Sequence, residues 1–156
     1  MAREVTNTAT GERIVFLRTA AETDGELLEM DDFWAQADHG TPAHIHPAME
    51  ERWEVISGNV RFEIGAVERT AGPGDSIVAP PGTPHAARNV GAKPAHLRIQ
   101  MRPALRWQEF VERLFALAGS GQGDAQGMSN PGSLAALMRE FTREIAPAPL
   151  NLTDAH

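Results

Sequence analysis

The sequence predicts an all-β domain followed by two C-terminal α-helices. Three observations carry that expectation. Short runs with strand character recur at even spacing from Ile14 to Met101. Clusters of glycine, proline and small polar residues separate them, as in sandwiches and closed barrels. After Pro103 the apolar spacing changes from the period of a strand to that of a helix. The chain has 156 residues, 42% of them hydrophobic, which suits one domain with a core of ordinary size.

Residues 1–12 are polar and are expected to be a flexible N-terminus. The strand-like runs are IVFLRT (14–19), ELLEMDDFW (26–34), RWEVIS (52–57), NVRFEI (59–64), SIVA (76–79) and AHLRIQM (95–101). In NVRFEI, Val60, Phe62 and Ile64 alternate with Asn59, Arg61 and Glu63, so one face turns inward and the other meets water. Leu97, Ile99 and Met101 alternate in the same way with His96, Arg98 and Gln100. The inward faces of these strands are apolar and offer no acid or base.

Beyond Pro103, Leu105, Phe110, Leu114, Phe115 and Leu117 fall near helical spacing within 105–118. A glycine-rich loop follows at 119–127, with cap and turn residues at 129–133. A second helix is expected over 134–145, with Leu134, Leu137, Met138, Phe141 and Ile145 on one face and Pro147 and Pro149 as its stop. The expected domains are a β-barrel over 13–102 and, over 103–156, a helical extension packed on the barrel or on a partner subunit.

The bulk composition excludes several functions. A formal charge of −7 argues against nucleic acid and anionic membrane as partners, since both reward positive charge. The chain has no cysteine, which rules out disulfides, thiolate metal sites and a thiol nucleophile. No apolar run approaches a membrane span, and the N-terminus lacks the apolar stretch of a secretory signal, so a cytoplasmic protein is expected.

Chemistry concentrates in two stretches. In HIH at 44–46, strand alternation turns His44 and His46 to one face, and Pro42 and Pro47 bracket them. Glu51 follows, sharing parity with Trp53 and Val55. His85 comes after GDSIVAPPGTP, a strand ending in a rigid PPG turn. Three imidazoles and a carboxylate suit one divalent ion. An ion preferring six ligands would keep two positions open, an enlarged relative of the facial triad of non-haem iron enzymes.

These residues also match a family. HIHPAMEERWEVISG has the form H-x-H-x4-E-x6-G, and GDSIVAPPGTPHAARN has the form G-x5-P-x-G-x2-H-x3-N through Gly74, Pro80, Gly82, His85 and Asn89. Both resemble the two motifs of the cupin superfamily. The second fits in full. The first departs at its start, where Gly40 stands closer to His44 than is usual; that shifts a loop and leaves the ligand positions alone. The 15 residues between Gly58 and Gly74 resemble the short spacing of small bacterial cupins, and the helical tail resembles that of one group of them.

The resemblance implies a cupin-like jelly-roll β-barrel with a metal near one open end, held by His44, His46, Glu51 and His85. The x6 spacing to Gly58 and the strand parity prefer Glu51 over Glu50 and Glu54. It leaves the metal open among Fe, Mn, Ni, Zn and Cu, and implies a homodimer. Three function classes follow. The first expectation is a non-haem metal oxygenase, dioxygenase-like, acting on a small chelating apolar or aromatic substrate. The alternatives are a non-redox isomerase, cyclase or lyase, in which a freed Glu51 moves protons, and a binding or sensing module without turnover. His39 is expected in an exposed loop, with reach to the barrel mouth as the alternative, His96 outside the barrel and His156 at the terminus. Trp53 is expected in the cavity wall or the core. The stripe at 134–145 is expected as a docked helix or dimer contact rather than a lid.

Overall fold

A computed structural model describes residues 3–119 and 131–149. The loop read at 119–127 and His156 therefore lie almost wholly outside the described residues. Among the described residues, eleven strands form two sheets. The first orders β1 (Glu4–Thr6), β2 (Arg13–Arg18), β3 (Leu28–Trp34), β10 (Ala95–Arg102), β5 (Glu50–Ser57) and β8 (Ser76–Ala79). The second orders β11 (Ala146–Pro147), β4 (Gly40–Ile45), β9 (His85–Asn89), β6 (Val60–Ile64) and β7 (Val67–Ala71). Every pairing is antiparallel, and β3 to β9 cross repeatedly between the sheets, giving a jelly roll.

Side-chain alternation builds the core. Val60 and Phe62 on β6, Val55 on β5 and Leu97 and Met101 on β10 are all fully buried between the sheets. Burial of this kind is the main favourable term for the fold. The turn from β5 to β6 depends on Gly58. Its φ is +93°, and a Cβ there would sit 2.9 Å from the Ala95 backbone.

The N-terminus departs from the flexible segment expected. Residues 4–6 pair with Arg13–Val15 as an edge strand, and Asn7 and Thr10 are buried in a compact turn. The turn is held by backbone bonds from Gly11 to Asn7 and from Asn7 to Glu12, with the Thr10 hydroxyl accepting from the Glu12 N–H. Polar side chains that satisfy a turn's backbone order a segment that its low apolar content made to look loose.

Helix α1 (Ala20–Thr23) is a single turn opened by a capping box between Thr19 and Glu22. Helices α2 (Trp107–Leu117) and α3 (Pro131–Glu140) lie over the mouth of the jelly roll. The second is shorter than the helix expected to reach residue 145. Phe141 to Ile145 form a tight turn, and Ala146–Pro147 then add a strand beside His44 and Ile45. Pro147 favours an extended residue before it, and fully buried Phe141 anchors the turn against Phe110. No described helix is long and apolar enough to cross a membrane.

Candidate metal centre

Strand β4 carries His44 and leads directly into His46. Strand β5 carries Glu51, buried with Trp53 and Val55, whereas Arg52 and Glu54 point outward. Strand β9 begins at His85, opposite His44 in the ladder. The PPG turn before it is tied back to the first motif by a bond from the Gly82 N–H to the His46 carbonyl. Thus the two motifs, far apart in sequence, face each other across one end of the jelly roll.

Each imidazole is held by a backbone carbonyl. Nδ1 lies 2.8 Å from the Pro42 oxygen in His44, 2.8 Å from the Glu144 oxygen in His46 and 3.0 Å from the Thr83 oxygen in His85. A carbonyl only accepts, so each Nδ1 carries the proton and donates it. Each neutral ring therefore presents a lone pair at Nε2. Those Nε2 atoms converge: His46 Nε2 is 3.3 Å from His44 Nε2 and 3.0 Å from Glu51 Oε1, and His85 Nε2 is 3.2 Å from the same oxygen.

All four ligand-type atoms lie within 4.8 Å of one another. With all three rings neutral they are acceptors facing acceptors, an arrangement that repels unless a metal ion lies among them or a proton sits on one of the rings. Bonds of about 2.1 Å to a common ion would place neighbouring ligand atoms about 3.0 Å apart in octahedral and about 3.4 Å apart in tetrahedral geometry. The three separations of 3.0, 3.2 and 3.3 Å fall in that range. The residues present therefore fit a metal, and an N3O donor set without thiolate suits iron, manganese, nickel, zinc or copper.

The electrostatics agree. Burial works to raise the Glu51 pKa, but hydrogen bonds from His46 and His85, and their charges, hold it well below the usual carboxylate range. Burial, then the charges of His46 and His85, lowers His44 to about 4. Burial also acts to lower His85, but its bond to Glu51 and that carboxylate's charge outweigh burial and raise it. Without a metal, a proton on His85 is thus the favoured counter-charge for Glu51.

A cavity of about 320 Å³ opens from His44 and Glu51 into the space between the sheets, within the size range of small-molecule sites. Ile14, Met30, Trp53 and Ile99 line it from the first sheet. Helices α2 and α3 supply a second wall through residues such as Trp107, Phe110 and Met138. The tail is more than a docked element. It roofs the cavity, gives His46 its carbonyl partner at Glu144, and sets the Trp107 ring 4.7 Å from the His46 ring. Trp53 meets His85 edge-on at 5.3 Å and so serves cavity and core together.

Two expectations need correction. His39 is not an exposed loop residue. Its side chain is 8% exposed, Nε2 lies 3.2 Å from Glu12 Oε1, and the ring sits 5.1 Å from Trp34. Backbone bonds from the Asp38 N–H to the Asn89 carbonyl and from the Asn89 N–H to the His39 carbonyl fold its loop inward. Nor is the cavity free of other titratable groups, because Glu12 and Asp32 line it with His39. The signal was present in the alternation of ELLEMDDFW, which puts Asp32 on the face of Met30 and Trp34. His96 does lie outside the cavity, stacked on Phe33 and paired with Asp31 at 3.1 Å.

Residues 35–99 match the family model described as a cupin domain. No curated protein sequence matches the chain. Among solved structures, it resembles an uncharacterised conserved protein with a double-stranded β-helix domain from Klebsiella pneumoniae, with 25% identity, 58% of this chain and 76% of that chain covered, and a TM-score of 0.50. It also resembles an RmlC-like cupin from Shewanella frigidimarina, with 19% identity, coverage of 64% and 82%, and a TM-score of 0.55. A predicted oxalate decarboxylase from Thermotoga maritima gives 14% identity, coverage of 64% and 90%, and a TM-score of 0.56. At such identities the last two speak for the fold alone. The jelly roll, the two motifs and the matched model together identify residues 35–99 as a cupin domain.

Proposed function

We propose that the chain is a metal-dependent enzyme in which His44, His46, Glu51 and His85 hold one divalent transition ion. Its substrate is a small, largely apolar or aromatic molecule that chelates through one or two oxygens. The observation that carries this reading is the set of four convergent acceptors with three backbone-locked imidazoles at the mouth of an apolar cavity.

The bound ion would supply Lewis acidity and, if redox-active, a site for dioxygen. The chain's own residues do the rest. Pro42, Glu144 and Thr83 fix the tautomer and direction of the imidazoles through their carbonyl groups. Trp53, Ile99, Phe110 and Met138 exclude bulk water and select a flat or apolar substrate. Glu51 offsets part of the cationic charge and can take a proton if it leaves the ion.

Within this reading a non-haem oxygenase comes first, because the cavity wall beside the ligands is apolar and leaves activation to the metal. Iron-loaded protein should consume oxygen with a β-diketone, a catechol or a flavonol. A second reading is favoured by Glu12 and Asp32, which place protein carboxyl groups on the cavity wall. It is a non-redox isomerase, cyclase or lyase, and would exchange substrate C–H with solvent deuterium without oxygen uptake. Tight binding with neither oxygen uptake nor exchange would move the chain to the binding modules.

A further inference from the structure

The inner face of β3 carries a polar group that the metal centre does not use. Asp32 and Trp34 stand two residues apart on that face, 5% and 2% exposed, and both line the cavity. Glu12 comes from the segment entering β2, and its carboxyl interacts directly with that of Asp32. His39 closes the group through Glu12. Burial, and then the charge of Glu12, pushes the Asp32 carboxyl well above the usual carboxylate range. Two buried carboxyl groups in contact share a proton. Burial lowers His39, which leaves its ring neutral beside them.

Two atoms in this group lack a partner. Asp32 Oδ1 and Trp34 Nε1 are buried and make no hydrogen bond of ordinary geometry, although the indole N–H lies near both carboxyl groups. Burying an unpaired acceptor and an unpaired donor is costly, and such groups in a cavity wall call for a ligand that pairs them. An acceptor beside a donor matches a group that both donates and accepts. An ammonium ion only donates, and would leave the indole N–H unpaired. An ether only accepts, and would leave Asp32 unpaired. A hydroxyl satisfies both.

The site is also separate from the metal ligands. Asp32 is level with Leu97 and Glu51 with Met101, on strands that flank β10. Two inter-strand steps of about 4.8 Å and four residues of about 3.4 Å rise put the two Cα atoms about 17 Å apart. One elongated substrate could reach both ends, but Asp32 cannot join the four-residue cluster.

We propose that Asp32 and Trp34, backed by Glu12 and His39, form a second subsite that binds a hydroxyl group of the substrate at the end remote from the metal ligands. This rests on the cavity being the substrate site. The test uses phenol, anisole and benzylammonium as probes of the full chain, with zinc and without it, followed by the indole N–H resonances. The chain has three tryptophans, so Trp34→Phe assigns the Trp34 signal.

Phenol should shift the Trp34 resonance and bind about tenfold more tightly than anisole, the worth of a paired donor and acceptor. Asp32→Leu removes the acceptor at similar volume and should bring that ratio to about one; Trp34→Phe, judged by ligand signals, should do the same. The Trp53 and Trp107 resonances report whether each variant has folded. Equal binding of phenol and anisole in the wild type, tighter binding of benzylammonium, or a ratio untouched by both substitutions overturns the proposal. Because the ratio is read without metal as well, a chain that took up no metal would lose the metal-enzyme reading while the hydroxyl preference was judged by itself.

Discussion

Removing the Phe141 ring should weaken metal binding at a centre it does not touch. Phe141 is fully buried against Phe110 and anchors the turn that brings the Glu144 carbonyl to His46 Nδ1 at 2.8 Å. Phe141→Ala removes a core ring, at a cost of about 3–5 kcal/mol of packing. That cost falls on the short tail, which β11 holds to β4 through only two residue pairs. The turn should detach, and His46 should lose the bond that fixes its tautomer and ring direction. Loss of a partner of this kind costs about 10–100-fold in metal affinity. That is about 1.4–2.8 kcal/mol, well under the cost of deleting the ligand itself. Competition for zinc against a chromophoric chelator measures it. Arg113→Ala is the control: its exposed pair with Glu140 is screened by solvent and the Phe141 ring stays in place, so affinity should be unchanged. Wild-type zinc affinity in Phe141→Ala, with a tail shown by proteolysis to be loose, would refute the argument that the extension orients a ligand.

Elemental analysis of the wild type, His44→Ala and His85→Ala should show metal in the first and a clear loss in both variants; equal content in all three would sink the site. Metal loading should fall as pH falls, because protons compete for Nε2. His85 has the raised pKa and protonates first, whereas His44, lowered to about 4, stays neutral far longer. Loading should therefore begin to decline above the ordinary imidazole value of 6.5, as read by chelator competition across pH, and a flat profile down to pH about 4 would contradict the assignment. Gly58→Ala should destabilise the fold by about 1–3 kcal/mol, since it puts a side chain at positive φ and against Ala95; an unchanged denaturation midpoint would count against it.

The legible part of this protein is local. The alternation of Val60, Phe62 and Ile64, and of Leu97, Ile99 and Met101, named core strands because period two is a property of the chain itself. The spacing in HIHPAMEE and the rigid PPG turn before His85 singled out the four residues that converge. Other elements were hidden for physical reasons. Strand β7 exposes four of its five residues, so it carries no apolar pattern. Strand β9, HAARN, has little strand character of its own and exists because β4 and β6 flank it. The single turn of α1 was readable in the T-x-x-E of its capping box, though it is too short to show a period.

Sequence by itself thus determined an all-β domain, two C-terminal helices and the identity of the convergent residues, because alternation, turn chemistry and motif spacing act over a few neighbours; the jelly roll was implied by the resemblance of the two motifs to a family. Only the tertiary structure decided what surrounds them. Glu144 stands 98 residues from His46, and Asp32, Glu12 and His39 belong to three separate segments. Their meeting follows from which strands lie side by side and from a tail that folds back over the mouth. Pairing of that range is set by closure of the whole core, which no local pattern encodes.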